Sequence, residues 1–353
     1  MNIKHDTEYL RVLNNVIEHG RFKEPARENM PRTKSLFVES MRFDLRKGFP
    51  LLTSKRMFVK GVIGELLWFM SGDTNVKTLD TLGITKFWHQ DAYRHWRKLH
   101  PGEDVDFETW CTELHNTKFS KPEYGDCGPI YGYQWRNFND SGFDQLATCI
   151  KDIVINPAGR YKVVSAWNPA QMSQMALPPC HMLFQFNCQP MTLEERIQIA
   201  NDSMLVHDGS AECLDSAQVP CMWLDCALTQ RSCDMCLGVP INIASYALLT
   251  HIVAALTNCV AREFIWTGND AHVYEHHIDT AKQQLAVDYA TSPTLMMHST
   301  YWRKCDKQTI ERVGYKKAVD DAIASINIGD FYFEAYTAGP AFKYELFTGL
   351  KQQ

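Results

Sequence analysis

Residues 176–186 have the sequence ALPPCHMLFQF, which places a cysteine directly before an apolar run. Two prolines rigidify the approach to Cys180, and the residues after it predict a strand over 182–188. An arginine, Arg231, lies in QRSCD at 230–234. A guanidinium close to a thiol favours the thiolate, so this pair predicts a lowered cysteine pKa and a nucleophilic role. The spacing alone favours a simpler interpretation, a buried structural cysteine beside a core histidine.

Two other classes of enzyme use a cysteine in a similar context, and neither fits this stretch. A zinc nucleobase deaminase needs Pro-Cys-x-x-Cys, but the residue three positions after Cys180 is Leu183. A papain-like hydrolase has its cysteine at the start of a helix near the N-terminus, whereas Cys180 precedes a predicted strand in mid-chain. Neither chemistry is therefore expected from this motif.

The composition is that of an ordinary globular protein. The 353 residues are 45% hydrophobic and 22% charged, with a formal net charge of -5. An acidic chain without a long Lys/Arg run does not favour a nucleic-acid partner, although a few arginines can still bind a small anion. No secretory signal is found, and no run approaches the roughly 18 apolar residues of a membrane span. We expect a soluble, cytoplasmic protein that requires neither membrane nor nucleic acid.

Twelve cysteines are scattered between Cys111 and Cys305. They lack the dense spacing of a small secreted scaffold, so most are expected to be reduced, buried thiols. One CxxC motif contains Cys233 and Cys236, but no second pair of ligands lies at a suitable distance. No metal site is therefore predicted.

Hydrophobic periodicity predicts helices and strands without a strict alternation. Helices are expected over 7–20, 57–70 and 243–257, and strands over 35–45, 161–168, 182–188 and 224–230. This order indicates an α+β fold with one domain, residues 1–353. Insertions near 100–123 and 190–222 are expected to be surface excursions.

Two polar residues lie at the edges of the predicted helices. Glu65 borders the apolar stripe of 57–70, where it is either a solvated flank residue or a deliberately buried acid, and periodicity alone favours the flank. Asn242 precedes the apolar helix over 243–257 and is expected to be compatible with an N-cap role. Periodicity assigns a catalytic role to neither residue.

Five blocks of the sequence together resemble the thymidylate synthase family, and they keep the family order from about residue 7 to residue 345. The blocks are GELLWFMSGDTN (64–75), GDCGPIYGYQWRNF (125–138), SAWNPAQMSQMALPPCHMLFQF (165–186), QRSCDMCLGVPINIASYALLTH (230–251) and NDAHVYEHH (269–277). The resemblance implies a mixed β-sheet covered by helices and a homodimer formed sheet to sheet.

The resemblance also implies one-carbon transfer from 5,10-methylenetetrahydrofolate, a reduced folate, to C5 of a pyrimidine deoxynucleotide monophosphate. Cys180 resembles the nucleophile that adds to C6 of the base. Glu65 resembles the acid that moves protons at the base carbonyl, and Tyr131 resembles the residue that assists proton removal from C5. Arg231 resembles both a phosphate ligand and the cation beside the nucleophile, and Asn242 resembles the residue that selects the base.

The base expected from Asn242 is uracil. A carboxamide can accept a hydrogen bond from N3–H and donate one to O4, whereas cytosine presents the opposite pattern. Relatives that act on dCMP carry aspartate at this position. Asparagine therefore predicts dUMP as the substrate.

The remaining implied contacts are to the nucleotide and to the folate. Nucleotide contacts are implied for Arg160, Gln230, Arg231, Ser232, Asn242, His272 and Tyr274. Folate contacts are implied for Lys55, Trp88, Asp234 and Gly238. In the family dimer, an arginine pair reaches the phosphate bound by the partner subunit. Here the matching stretch has Arg160 followed by Tyr161.

Further departures from the family pattern concern the pocket that holds the folate. ARENMPRT at 26–33 replaces an Arg-Thr-Gly phosphate loop, which leaves Arg27 and Arg32 as alternative phosphate ligands. Ile241 replaces a phenylalanine that touches the folate, and the tail over 344–353, YELFTGLKQQ, is polar at its end.

The altered loop and tail favour a particular product. Both elements normally seal the folate pocket, and water that reaches the methylene intermediate gives a 5-hydroxymethyl nucleotide. The sequence therefore favours a phage-type dUMP hydroxymethylase over a thymidylate synthase, although the retained Trp88 supports the synthase. A catalytically silent nucleotide- or RNA-binding relative is a third hypothesis.

Overall fold

The computed structural model describes residues 2–25, 30–85, 87–116, 124–298 and 303–346. In these ranges a six-stranded mixed sheet is covered by helices, which confirms the expected α+β architecture, and two further strands form a separate sheet. The strands are β1 (Arg21–Lys23), β2 (Thr33–Asp44), β3 (Val163–Ser165), β4 (His181–Pro190), β5 (Met222–Asp234), β6 (Val260–Tyr274), β7 (Thr294–Met297) and β8 (Phe331–Glu334). The helices are α1 (Asp6–His19), α2 (Val59–Ser71), α3 (Val76–Thr81), α4 (His89–Leu99), α5 (Phe107–Asn116), α6 (Tyr131–Arg136), α7 (Gln145–Ile155), α8 (Leu193–Asp202), α9 (Ala211–Ser216), α10 (Gly238–Leu256), α11 (Ile278–Leu285), α12 (Lys307–Val313) and α13 (Tyr315–Ala324).

The centre of the fold is the unit formed by β5, α10 and β6. The large sheet has the order β1-β2-β6-β5-β4-β3, in which β5 and β6 are parallel and the other pairs are antiparallel. A parallel pair needs a crossover connection, and α10 supplies it. This helix is apolar almost all round and long enough to cross a membrane, but 89% of its most apolar window is buried. It is therefore the core helix of the fold.

The start of α10 corrects one prediction. The helix begins at Gly238, five residues before the predicted start at 243. Val239 and Pro240, which lie before that predicted start, are already helical and buried. Leu237 is the N-cap, so the N-cap role predicted for Asn242 is wrong. Asn242 lies in the second turn, and its Oδ1 accepts a hydrogen bond from Gln230 at 3.0 Å.

The strand predicted over 161–168 is much shorter than expected. Only Val163–Ser165 pairs with β4. The backbone amides of Ala166 and Trp167 both donate to the Met182 carbonyl, at 2.8 and 3.2 Å, so the regular ladder cannot continue. A turn capped by the side chain of Asn168 follows.

Both predicted insertions contain helices. Between β4 and β5, which are antiparallel neighbours, α8 and α9 enclose a small apolar cluster of Ala200, Leu214 and Val219. In the other segment, α5 buries Trp110 completely against Tyr93. Residues 117–123 of that segment lie outside the described ranges.

Candidate active site

Cys180 lies immediately before β4 and beside β5. The backbone N–H of Arg231 donates to the Cys180 carbonyl at 2.8 Å. The guanidinium donates to the carbonyls of Pro178 and Pro179, at 2.6 and 2.8 Å, and its Nη2 lies 3.9 Å from the Cys180 sulfur. The two prolines therefore hold the arginine beside the thiol through their carbonyl groups, and the predicted pair is brought together.

The half-buried thiol of Cys180 does not have the lowered pKa that the sequence predicted. Burial is the largest influence and raises the pKa above the ordinary value for cysteine. Arg231 lowers the pKa of this thiol, as do hydrogen bonds with Tyr131 and Ser232, but together they do not offset burial. The prediction is wrong because chain spacing shows the neighbouring cation and not the loss of solvent around the sulfur.

Tyr131 contacts the nucleophile through the backbone. Its buried phenol oxygen accepts a hydrogen bond from the Cys180 N–H at 2.7 Å, and its ring stacks on Phe69 at 4.8 Å. The neighbouring Gly132 allows this approach, because a side-chain carbon there would lie 2.1 Å from the Phe69 carbonyl oxygen. The GYQW segment thus packs α6 directly on α2 and places Tyr131 beside Cys180.

Glu65 is a buried acid and not a solvated flank residue. Its side chain lies on α2, and the residue is 7% exposed. The indole N–H of Trp88 donates to Glu65 Oε1 at 2.7 Å. Burial outweighs this hydrogen bond and raises the pKa of Glu65 to about 7. A carboxyl group with this pKa can both donate and accept a proton near neutral pH.

His181 is a core residue that lies beside the catalytic candidates. Its ring centroid is 4.7 Å from that of Tyr131, and its Nδ1 lies 3.3 Å from the hydroxyl of Tyr246. Burial and the nearby Arg231 lower the pKa of His181 to about 3, so the ring is neutral at pH 7. Adjacency to Cys180 was the only sequence signal for this position.

The residue predicted to select the base belongs to a small buried network. Gln230 Nε2 donates to Asn242 Oδ1 at 3.0 Å and to the Ser232 carbonyl at 3.0 Å. Trp266 Nε1 donates to Gln230 Oε1 at 2.9 Å. The structure therefore joins the predicted Gln230, Ser232 and Asn242, and it adds Trp266, which sequence reasoning missed.

The predicted ribose pair lies at the end of β6. His272 and Tyr274 share one strand, and their rings meet edge to face at 5.5 Å. His272 is paired in register with Asp234 on β5, which brings the predicted ribose and pterin contacts onto adjacent strands.

The phosphate candidates are more dispersed. Arg160 lies on the exposed turn between α7 and β3, and no hydrogen bond or ion pair joins it to the other predicted site residues in the described ranges. Arg32 is paired with Glu275 through two hydrogen bonds, at 3.1 and 2.5 Å, and its charge is thereby balanced. Arg27 lies outside the described residues.

Three of the four predicted folate contacts, Lys55, Asp234 and Gly238, form a wall at the junction of β5 and α10, whereas Trp88 lies against Glu65. Asp234 Oδ1 accepts from the backbone amides of Cys236 and Leu237, at 2.8 and 3.2 Å, which leaves Oδ2 without a protein partner in the described ranges. Lys55 is buried and donates to the Cys236 carbonyl at 2.6 Å. Gly238 opens the helix. A fixed carboxylate with one unused oxygen fits a pterin ring, which presents N–H donors.

The tail contributes a residue that sequence reasoning did not identify. The ring of Tyr344 lies 4.9 Å from Lys55 Nζ and 5.2 Å from the ring of His277. Its hydroxyl donates to Gln284 Oε1 at 2.8 Å. Hydrophobic periodicity gives no signal for such a contact, because it joins an irregular segment to a distant helix.

Three side chains of this wall are of kinds that bind metals. The ligand atoms of Asp234, Cys236 and His277 all lie within 4.8 Å of one another. Lys55 already places an ammonium group against the Cys236 carbonyl, and a nearby positive charge disfavours a second cation. The other cysteine of the CxxC motif, Cys233, donates to the Gln230 carbonyl instead. We therefore do not assign a metal site to this cluster.

Comparison with known proteins identifies the family. The family model described as thymidylate synthase matches residues 7–347. The chain is 40% identical over 294 residues to the thymidylate synthase of Coxiella burnetii, covering 82% of this chain and 88% of that protein. It is 37% identical over 293 residues to the thymidylate synthase of Malacoplasma penetrans, covering 82% and 89%. It is 38% identical over 278 residues to that of Mesoplasma florum, covering 79% and 84%. The chain therefore belongs to the thymidylate synthase family, whose members use 5,10-methylenetetrahydrofolate.

Proposed function

We propose that this protein is a cytoplasmic thymidylate synthase that methylates C5 of dUMP and releases dTMP and dihydrofolate. The observation that carries the proposal is the convergence on Cys180 of Arg231, 3.9 Å from the sulfur, and Tyr131, bonded to the Cys180 amide. A nucleophile with an adjacent cation and a buried acid nearby is the set needed for covalent activation of a pyrimidine.

In the first step, Cys180 forms a bond from sulfur to C6 of the base. The electron pair of the C5–C6 bond moves towards O4, and C5 becomes nucleophilic. Because burial raises the thiol pKa, Arg231 acts mainly by stabilising the thiolate once the proton has left. Glu65, whose pKa is about 7, holds a proton for the developing charge at the base carbonyl.

A bound folate would supply the one-carbon unit, which bonds to C5 as its bond to the folate nitrogen breaks, and then a hydride to the same carbon, which leaves dihydrofolate. Tyr131 assists removal of the C5 proton, since its oxygen is fixed one hydrogen bond from the Cys180 backbone. Trp88 holds Glu65 in place through its indole N–H, and we assign to its ring the shielding of the reacting carbon. Expulsion of Cys180 returns the electron pair of the C6 bond to sulfur and restores the C5–C6 double bond.

Methyl transfer is favoured over hydroxymethyl transfer for two reasons. The relatives described above carry the name thymidylate synthase. The expectation of hydroxymethylation depended on a poorly sealed pocket, yet the tail is docked through Tyr344 as far as residue 346 is described. Residues 26–29 and 347–353, on which that expectation also depended, lie outside the described ranges.

The proposal includes a homodimer. Arg42 and Glu263, on outward positions of β2 and β6, are paired at 2.6 Å and only partly buried, so this face of the sheet is available to a partner. The turn with Arg160 also carries Tyr161, which is 89% exposed. In a dimer, this turn would contact nucleotide bound to the other subunit.

Mixing Arg160→Ala and Cys180→Ser proteins tests the dimer, because one intact site should form in each mixed dimer and restore part of the activity.

The product is tested with purified protein, dUMP and 5,10-methylenetetrahydrofolate. We expect dihydrofolate and dTMP in equal amounts, measured by absorbance and mass spectrometry. A 5-hydroxymethyl product with tetrahydrofolate would instead support the hydroxymethylase hypothesis. Failure to release tritium from C5-labelled dUMP would support the silent relative and contradict an enzymatic role.

A further inference from the structure

Three buried polar side chains form a line from the core to the candidate base-selecting residue. The line runs from Trp266 through Gln230 to Asn242, with hydrogen bonds of 2.9 and 3.0 Å. These residues are 0%, 2% and 5% exposed, so the hydrogen bonds are shielded from water. Buried hydrogen bonds of this kind strongly disfavour any alternative that leaves a member unpaired.

The direction of these hydrogen bonds is determined by groups that cannot reverse. An indole N–H only donates, so Gln230 must present its carbonyl oxygen to Trp266. The Ser232 backbone carbonyl only accepts, and Gln230 Nε2 donates to it at 3.0 Å. Rotating the Gln230 amide by half a turn would set donor against donor at one end and acceptor against acceptor at the other. Gln230 therefore turns its N–H towards Asn242.

The indole itself is held in place by packing. Trp266 and Gly268 lie on the same face of β6, two residues apart. A side-chain carbon at Gly268 would lie 2.1 Å from Trp266 Cη2 and 2.8 Å from the Cys233 sulfur. The missing side chain leaves the space that the indole fills, so the donor is oriented before any ligand arrives.

We propose that Trp266 is a positioning residue for base choice, because it orients the Asn242 carboxamide through Gln230. The inference rests on the proposed role of Asn242 in contacting the base. Since Gln230 donates to Asn242 Oδ1, the Asn242 amide must turn its Nδ2 outwards. In the described ranges Nδ2 donates to no other protein group. An outward N–H donor matches O4 of uracil and opposes the amino group of cytosine.

Replacing Trp266 in two proteins, one with Asn242 and one with Asn242→Asp, separates an orienting role of Trp266 from general structural support of the pocket. In Asn242→Asp, the carboxylate has two equivalent oxygens, and no orientation remains for Trp266 to impose. Trp266→Phe should therefore lower the preference for dUMP over dCMP when residue 242 is asparagine. The same substitution should leave the preference unchanged when residue 242 is aspartate.

The experiment measures the dissociation constants of dUMP and dCMP by calorimetry for the wild type, the two single variants and the double variant. Loss of one buried hydrogen bond predicts about a fivefold fall in selectivity for Trp266→Phe, and less than about twofold in the Asn242→Asp background. Trp266→His, which keeps a ring N–H donor, should restore part of the selectivity. Trp135→Phe is the matched control, because this fully buried tryptophan has no hydrogen-bond partner in the described ranges.

Two results would overturn the inference. Selectivity unchanged in Trp266→Phe would show that the line does not orient Asn242. An equal fall in both backgrounds would show that Trp266 only supports the pocket. A wild type that does not prefer dUMP would instead contradict the proposed function at Asn242, and the inference with it.

Discussion

The proposed nucleotide side and the proposed folate side of the candidate site are built in different ways. On the nucleotide side, Cys180 directly precedes β4, Arg231 lies on the adjacent β5, and Asn242 lies on the helix that follows β5. On the folate side, the closing contacts join the two ends of the chain. Backbone pairing between strands brings the first group together, and side-chain hydrogen bonds set only the orientation of its members. The second group is held almost entirely by side chains.

The folate side depends on a line of buried and half-buried hydrogen bonds. Tyr344 donates to Gln284 at 2.8 Å, and Gln284 Nε2 donates to the Ser54 hydroxyl at 3.1 Å. The Ser54 N–H donates in turn to the carboxylate of Asp6 at 2.7 Å. Lys55, next to Ser54, lies against the Tyr344 ring. The tail is thus connected to α1 through the same segment that carries a predicted folate contact.

This difference separates the expected effects of mutation. Apart from the buried acid Glu65, changes on the nucleotide side should affect chemistry and base choice with little change in stability. Changes along the line from Tyr344 to Asp6 should affect stability and folate binding, with little change in nucleotide binding.

The largest effect is expected for Cys180→Ser. An alcohol of nearly the same size but ordinary acidity is a much weaker nucleophile than a thiolate, so turnover should fall by more than about a thousandfold. Binding of dUMP and the free energy of unfolding should change little. Steady-state kinetics and calorimetry measure the two effects. Cys188→Ser, at another half-buried cysteine, is the control and should remain active. More than a few per cent of activity in Cys180→Ser would exclude the covalent mechanism.

The next effect is expected at the far end of the folate side, in Asp6→Asn. The Asp6 carboxylate is fully buried and accepts from the N–H groups of Thr53 and Ser54 and from the Thr53 hydroxyl. An amide would set an N–H against one of these donors. The free energy of unfolding should fall by about 4 kcal/mol, from a lost charge-assisted hydrogen bond and an unpaired donor.

Urea unfolding measures this change. Asp279→Asn is a matched control, because Asp279 is also in the first turn of a helix but is exposed. The control should change the stability by less than about 1 kcal/mol. Equal losses for the two variants would mean that helix-terminal charge, and not the buried line, accounts for the effect.

A third prediction concerns the pH dependence of stability and tests Glu65. Its pKa in the folded protein is about 7, raised from 4.5 by burial. As pH rises from about 4.5 to 7, the unfolded chain loses this proton while the folded chain keeps it, so the acid costs the folded state increasing free energy. Glu65→Gln removes that cost and should gain up to about 3 kcal/mol relative to the wild type between pH 4.5 and 8.

The measurement is the difference in unfolding free energy between Glu65→Gln and wild type at several pH values. Glu212→Gln, at an exposed first-turn position of α9, should give a difference that is nearly constant with pH. A Glu65→Gln difference that does not grow with pH would show that the acid is ionised at neutral pH in the folded protein.

The two sides also differ in how much the sequence revealed. The motifs around Cys180, Arg231 and Asn242 are continuous, and their residues lie in the order that strand pairing requires, so the resemblance was enough to place them. The sequence does not show which of these side chains are buried. The predicted low pKa of Cys180 was wrong for that reason, and periodicity alone favoured an exposed Glu65, which is buried.

The folate side could not be predicted in the same way. Tyr344, Gln284 and Asp6 are far apart along the chain, and none of them lies in one of the five blocks. Their hydrogen bonds arise only when the complete fold brings α1, α11 and the tail together. The expectation of an open pocket was based on the sequences of the 26–33 loop and of the tail, which do not show that Tyr344 is docked.

The smallest effect is expected for Tyr344→Phe. The ring keeps its position above Lys55, but Gln284 Oε1 loses its hydrogen bond from the Tyr344 hydroxyl. Loss of one such bond costs about 1 kcal/mol, which corresponds to roughly a fivefold rise in KM for 5,10-methylenetetrahydrofolate. The dissociation constant of dUMP should stay the same, because the nucleotide contacts lie on the other side of the site. Tyr332→Phe, at a 60% exposed tyrosine, is the control. If dUMP binding weakened as much as folate binding, the two sides would be coupled, and the separation between them would be wrong.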